Sequence, residues 1–279
     1  MTPMPDITLD VDLRNPGQFF ACCGVLELAS RLWPGSKTNS WHEPEGWFQG
    51  RQFHLATYTQ ENEPPIGRML RWLVEATEIA KRVDTDARYD DKVYPIILET
   101  QPPLLIDWWL KTQWSTASSD FKFWAAHQHP LQILDELRAG LSRTLSQSNG
   151  ADYTQLLGMK TPMTTRFGLD PVAAWMPLDL GFAPNEHAHL KQTLTAPAIE
   201  LFAAIGIQGF RPKPHPMRRR VFQYSAWTTP LPAATARAVA CGAIKQVNSE
   251  AQNRCFEFEI TPRGRFKAFS PARELREYR

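Results

Sequence analysis

Four cysteines occur, and none of their spacings is that of a redox or metal motif. Cys22 and Cys23 are adjacent on one helix-like stretch, so their side chains diverge. Cys241 and Cys255 stand apart, and no CxxC pair occurs. This usage reads as buried, reduced thiols in a reducing compartment. Long apolar runs are missing too: none approaches the about 18 residues that a membrane helix needs. The start, MTPMPDITLDVD, is acidic and lacks a basic segment followed by an apolar one. A cytoplasmic protein without a secretory leader and without membrane contact is therefore expected. GxxxxGK[ST] and GxGxxG are absent, so no nucleotide cofactor is expected. HExxH is absent as well. No internal repeat and no low-complexity tract appears.

Catalytic groupings are equally thin. The histidines occur as His127-x-His129 and His187-x-His189, with His42, His54 and His215 apart. Alternate spacing puts two rings on one side of a strand, yet no cysteine or carboxylate stands at ligand spacing, so no metal site is expected. Asp90-Asp91 and Asp135-Glu136 read as a turn or solvated faces. Asp107, before Trp108-Trp109, reads as a cap, an ion pair or a site residue. No catalytic residue is assigned.

Charge is balanced in total but not along the chain. Residues 1–150 carry 14 basic against 19 acidic side chains, and residues 151–279 carry 17 against 10. A basic C-terminal half is compatible with a polyanionic partner. Ten tryptophans are many for 279 residues. They suit a core, a protein interface or stacking on bases, and composition does not separate these uses.

Periodicity predicts a strand over Ile7 to Leu13, then a helix from about Pro16 to Trp33 stopped by Pro34-Gly35. Asn15 is a good N-cap, Pro16 suits the first helical position, and Gln18 completes an Asn-x-x-Gln capping box. Gly24 marks a close crossing with another element, and Glu27 can pair with Arg31 at i,i+4. A hairpin turning at Gln49-Gly50 follows, then a helix opened by Pro64-Pro65, two strands in VYPIILE and PLLIDWW, and an amphipathic helix from Pro130. SQSNGAD (146–152) is the best candidate boundary. Beyond it come a long structured loop, a buried helix ending near Gly206 or Gly209, a strand after RRR, a short Ala-rich helix, and a hairpin turning at Pro262-Arg263-Gly264. The pattern predicts an α+β fold: mixed, mostly antiparallel sheet with packed helices, in an N-terminal lobe (1–150) and a basic C-terminal lobe (151–279).

Three segments are candidates for nucleic-acid contact. RPKPHPMRRR (211–220) holds Arg211, Lys213, Arg218, Arg219 and Arg220 with no acid, and its prolines predict an extended arm. Such an arm grips phosphates or is simply a solvated loop. SSDFKFWAAHQH (118–129) interleaves Lys122, Trp124 and Gln128 with Phe121 and Phe123, as a single-strand-binding surface or an aromatic core helix. RGRFKAF (263–269) alternates Arg263, Arg265 and Lys267 with apolar residues, as a basic face or a solvated edge strand. Lys160 and Arg166, in the loop region of the basic half, join the candidates. So do Asn15 and Gln18, if exposed N–H groups at the helix start meet a phosphate rather than serve as a structural cap.

NPGQFFACCGVLELASRLWPG, LLIDWW, FKFWAAHQ, TRFGLDPVAAW, PNEH and AIELFAAIGIQGFRP, taken together and in this order, resemble the CRISPR-associated proteins of type I-G (formerly I-U) systems, from about residue 7 to about residue 240. The resemblance implies a non-enzymatic subunit of the RNA-guided surveillance complex, Cascade, of large-subunit type. Its implied partners are CRISPR RNA, target DNA, the other Cascade subunits and a helicase-nuclease. Such a subunit is expected to read a flanking motif and to stabilise the R-loop while base pairing reads sequence. The alternative in the same pathway is a metal-independent endoribonuclease for repeat RNA, using a histidine such as His127 or His129.

Overall fold

The computed structural model describes residues 2–35, 42–78, 95–110, 119–124, 128–147, 152–174, 193–244, 254–263 and 266–275. The fold is α+β with antiparallel sheets. Strand β1 (Ile7–Asp10) leads into helix α1 (Pro16–Leu32), then into the hairpin of β2 (Glu45–Gln49) and β3 (Gln52–Ala56). Gly50 turns that hairpin at φ 61°, a conformation glycine adopts without strain. Helix α2 (Pro65–Glu75), the hairpin β4 (Ile96–Leu98) and β5 (Leu104–Ile106), and helix α3 (Pro130–Gln147) follow. Helix α2 ends at Glu75, short of the whole segment PPIGRMLRWLVEATEIAKRV (64–83) that reads as helical in sequence, and Glu78 already bridges to Leu98.

A 3-10 turn (Tyr153–Gly158) precedes β6 (Thr161–Met163), the one-turn helix α4 (Pro171–Ala174), β7 (Thr193–Thr195) and helix α5 (Pro197–Gly209). The chain closes with β8 (Lys213–Pro214), β9 (Val221–Ala226), β10 (Leu231–Pro232), helix α6 (Ala233–Ala240), β11 (Arg254–Arg263), β12 (Phe266–Phe269) and β13 (Arg273–Leu275). One sheet runs β1-β3-β2-β10. A second runs β12-β11-β9-β8, with β13 also paired to β11, and β4-β5 and β6-β7 form two-stranded sheets.

Helix α1 is buried on nearly every side because its sequence is apolar nearly all round. Phe19 stacks on Tyr224 at 4.2 Å between ring centres and on Phe48 at 5.5 Å, so α1 bridges the two sheets. Its other side crosses α5 through facing glycines. A Cβ on Gly24 would run into the Phe202 carbonyl, and one on Gly206 into the Phe20 carbonyl. Glu27, buried on α1, pairs with Arg31 as the spacing predicts, and with Arg237 of α6.

Residues from both expected lobes contribute to one hydrophobic core. Strand β10 completes the sheet of the first half. Tyr224 Oη donates to the Leu13 carbonyl at 2.5 Å, Trp227 Nε1 to Gly46 at 2.7 Å, and the Ala272 amide to Arg14 at 2.7 Å. The physical reason lies in α1 and α5: each is apolar all round, so neither half buries its own helix alone.

Candidate nucleic-acid interface

The basic segment 211–220 is a hairpin rather than an extended arm. Lys213 and Pro214 pair with Gln223 and Phe222, and the His215 amide donates to Val221 O at 2.8 Å. Pro214 is tolerated because β8 is an edge strand. His215 Nδ1 then accepts from the amides of Met217 (3.1 Å) and Arg218 (3.0 Å). A ring nitrogen that accepts is unprotonated, so the ring proton belongs on Nε2, which faces Glu257 at 4.0 Å. Arg220 adopts φ 61°, and its carbonyl accepts from the Ile260 amide at 2.9 Å, fastening the hairpin to β11. Three prolines make the segment look extended; hairpin pairing to β9 and the long-range bond from the Ile260 amide to Arg220 O turn it back.

Strand alternation puts Phe256, Phe258 and Tyr224 on the core side of this sheet and Glu257 and Gln223 on the outer side. Register then aligns Lys213, Gln223, Glu257 and Arg273 in one row across β8, β9, β11 and β13. Glu257 is buried in that row, beneath Arg218, Arg273 (Nη2 2.7 Å, Nε 3.0 Å) and Gln223 (3.2 Å). Burial alone would raise its carboxyl; hydrogen bonds from Arg218, Arg273 and Gln223 outweigh burial and hold it below the usual range.

A second basic group adjoins the hairpin. Residues 119–124 lie on the same sheet because Phe121 packs on Phe222 at 4.7 Å and Phe123 on Phe269 at 5.1 Å. The Lys267 amide donates to Phe123 O at 3.0 Å, and Lys267 Nζ to Asp120 O at 3.2 Å. Arg220 Nε stands 3.4 Å from the Asp120 carboxylate. Burial pushes the Lys267 ammonium down; Asp120 opposes this, and the charges of Arg220, Lys122 and Arg219 push it further down. Lys122, Arg219, Arg220 and Lys267 therefore form one electrostatic cluster, drawn from segments about 100 and 147 residues apart in sequence. A separate row, on the outer side of the sheet, sets Lys213, Arg218 and Arg273 about Glu257. Guanidinium forks and ammonium groups of this kind are chemically suited to phosphates.

The remaining candidates serve other ends. Asn15 is buried: its Oδ1 accepts from the Gln18 amide and its Nδ2 donates to Asp170 at 2.9 Å. Gln18 reaches back to the Asp12 amide at 2.7 Å, because the Asn15 amide already bonds Asp12 O. A Cβ on Gly17 would strike the Leu169 carbonyl, so backbone covers this helix start and leaves no room for a phosphate.

Trp124 is buried against Trp108 (5.9 Å), Trp109 (5.3 Å) and Phe167 (5.7 Å), which makes it core and not a stacking platform. Among the described tryptophans, Trp33, Trp47, Trp108, Trp109, Trp124 and Trp227 are buried and Trp72 is half-buried. Gln128 bonds Thr165 at 3.0 Å. Lys160 and Arg166 act on the buried Asp170, and Arg166 also on Glu200. Arg211 caps the end of α5 through Gln208 O at 3.2 Å and faces Asp107 at 3.7 Å. The backbone of Arg263 closes β11, and Arg265 lies outside the described residues. His127, His187 and His189 lie outside them as well. No group of three or more His, Cys, Asp or Glu poised for a metal occurs among the described residues.

Glu257, Arg273 and Asp120 are not legible as site residues from the sequence. The alternation in RCFEFEI does place Glu257 on a polar face, but nothing local says that arginines 39 residues before it and 16 after it would meet there. Comparison with protein-family models, curated proteins and solved structures returned no match.

Proposed function

We propose that this chain is a non-catalytic, nucleic-acid-gripping subunit of a type I-G CRISPR surveillance complex, working in the cytoplasm. Its two basic groups, about Asp120 and about Glu257, would hold the phosphates of guide RNA or target DNA beside a flanking motif, while other surfaces meet the neighbouring subunits and the helicase-nuclease. One observation carries the reading: distant segments gather Lys122, Arg219, Arg220 and Lys267 about Asp120, and the hairpin that carries Arg219 and Arg220 also sets Lys213 and Arg218 in the row of Glu257 on the outer side of the sheet. The motif resemblance supplies the family. Among the described residues no helix is long and apolar enough to cross a membrane. The nuclease alternative rests on His127, which lies outside the described residues, and on His129 at the start of α3.

Lys213 and Arg219 are exposed and make no ion pair among the described residues. Replacing both with Ala leaves the fold intact and takes two cations away from the phosphates. The slope of log affinity against log salt for duplex DNA is expected to shrink by about 0.9 for each phosphate no longer neutralised. Unchanged affinity and slope would falsify the interface. Co-purification with the products of neighbouring genes and their RNA tests membership of the complex.

A further inference from the structure

Resting on that nucleic-acid reading, the geometry points to a regulatory strap: residues 165–172 stay closed over the start of α5 while Glu200 keeps a proton, and loss of that proton loosens them together with the basic group they brace. These residues join β6 to α4 without regular structure, yet 167–171 are buried. Glu200 accepts from three successive amides of the strap, those of Gly168, Leu169 and Asp170. Phe167 fixes the strap among Trp108, Trp109 and Trp124, and Asp170 fixes it to Asn15.

The strap also meets the basic group about Asp120. Gly168 adopts φ 87°, and a Cβ there would stand 3.3 Å from Phe123 Cβ and 3.4 Å from the Lys267 carbonyl. Phe123 O accepts from the Lys267 amide at 3.0 Å. The strap therefore lies against the two segments that carry Lys122 and Lys267. Helix α4, next in the chain, packs on β12, which bears Lys267.

Two carboxyls are buried here with no cation against them. Among the described residues neither Glu200 nor Asp170 makes an ion pair, and Asp170 Oδ2 is buried without a hydrogen-bond partner. Arg166 acts on both from farther off, and Lys160 on Asp170. Around the rest of α5 the charges are engaged elsewhere or exposed. Glu27, paired with Arg31 and Arg237, meets α5 at Gly209, and Cys22 and Cys23 are raised by burial and stay neutral. On α3, Glu136 bonds Thr164 and Arg138 the carbonyls that end α2; Asp135, Arg143 and Tyr153 are exposed. The three amides favour a charged Glu200, but burial outweighs them and lifts its carboxyl from 4.5 to about 7. Lifting the strap lets both carboxyls reach water and release protons in the ordinary range. The closed form binds more protons, so closure is fully favoured below pH 4.5 and weakens as pH rises toward 7. Phosphate held nearby acts in the same sense, since its negative charge favours protonated Glu200.

The test follows strap and grip separately in the full-length chain at constant ionic strength. Hydrogen exchange of the free protein, corrected for the intrinsic effect of pH on amides, should show the 168–170 amides opening about tenfold more often at pH 8 than at pH 6, ahead of the amides of α1. Glu200→Gln should lose most of that rise. Asp170→Asn keeps an acceptor for Asn15 and Val172 but removes the neighbouring charge, so its rise should level off at a lower pH; this shift stands on its own should Glu200→Gln not fold. Affinity for a mixed-sequence DNA duplex should fall over the same range by up to about tenfold. The fall should persist in His215→Asn, which takes the ring's own titration away from the hairpin, and vanish in Glu200→Gln. Opening that ignores pH, or that occurs only together with α1, overturns the strap. Opening as expected with level affinity overturns its hold on the basic group and leaves the phosphate interface standing. Opening as expected with no DNA binding at any pH overturns the nucleic-acid reading and not the strap.

Discussion

Glu200 is the most constrained single side chain. It sits fully buried in the first turn of α5 and accepts three backbone N–H groups: Gly168 (2.9 Å), Leu169 (3.2 Å) and Asp170 (3.1 Å). Asp170 in turn bonds Asn15, so this one carboxyl ties the loop to the starts of both central helices. Burial raises its pKa from 4.5 to about 7; the Asp170 charge adds to the rise, while backbone hydrogen bonds and Arg166 oppose it. Between pH 4.5 and 7 the folded state therefore holds a proton that the unfolded chain has released. This contribution to stability is full below pH 4.5 and is lost as pH rises toward 7. Its size is on the order of 3 kcal/mol. Asp170, raised by burial, acts in the same direction. Glu257 and Glu274, both lowered, act in the opposite one. Glu200→Gln should cost about 1–3 kcal/mol at pH 5, since its NH2 would face N–H donors, and should flatten the fall toward neutrality. Urea midpoints at half-unit pH intervals would show this; parallel curves for the two proteins would rule out Glu200 as the titrating group.

At the scale of elements, the α1–α5 crossing sets how closely the two halves approach. Alanine in place of Gly24 or Gly206 gains about 1 kcal/mol of helix propensity. It also forces Cβ against a backbone carbonyl that cannot rotate away, and overpacking of this kind costs about 1–3 kcal/mol or more. Net loss of stability is expected for each variant in a thermal melt. Gly67 is the control: a Cβ there meets just the Glu63 side-chain oxygen at 3.5 Å, so Gly67→Ala should gain about 0.5–1 kcal/mol. If Gly24→Ala melts no lower than Gly67→Ala, the crossing is looser than described. The sequence announced much at this scale. Asn15, Pro16 and Gly24 marked the start and the crossing of α1, and the Gln49-Gly50 turn was plain. The partner of Gly24 was not legible, since Gly206 sits in an equally apolar run and nothing local links two glycines 182 residues apart. The 211–220 hairpin was missed for the converse reason: its local signals were prolines, and its pairing is tertiary.

For the whole molecule, the basic C-terminal half was legible as charge but not as a face, because composition does not say which arginines meet. The same long-range pairing makes the halves inseparable. Residues 146–152 looked like a linker, yet on either side of it the chain contributes to one core: β10 pairs with β2, α1 lies between Tyr224 and Phe48, and Glu27 is neutralised by Arg237. A fragment ending near residue 149 would expose α1 where α5 and Tyr224 now cover it, and would leave Glu27 with Arg31 alone. A fragment starting there would expose α5, whose residues 197–207 are all buried. Each Å² of apolar surface so exposed forfeits about 25 cal/mol, against a domain stability of only about 5–15 kcal/mol. Each fragment expressed alone is therefore expected to lack a cooperative melt. Expressed together from one transcript they should co-purify at equal stoichiometry and regain a single transition below that of the intact chain. Two independent transitions in the intact protein, or a fragment that melts cooperatively alone, would show that the boundary is a true one.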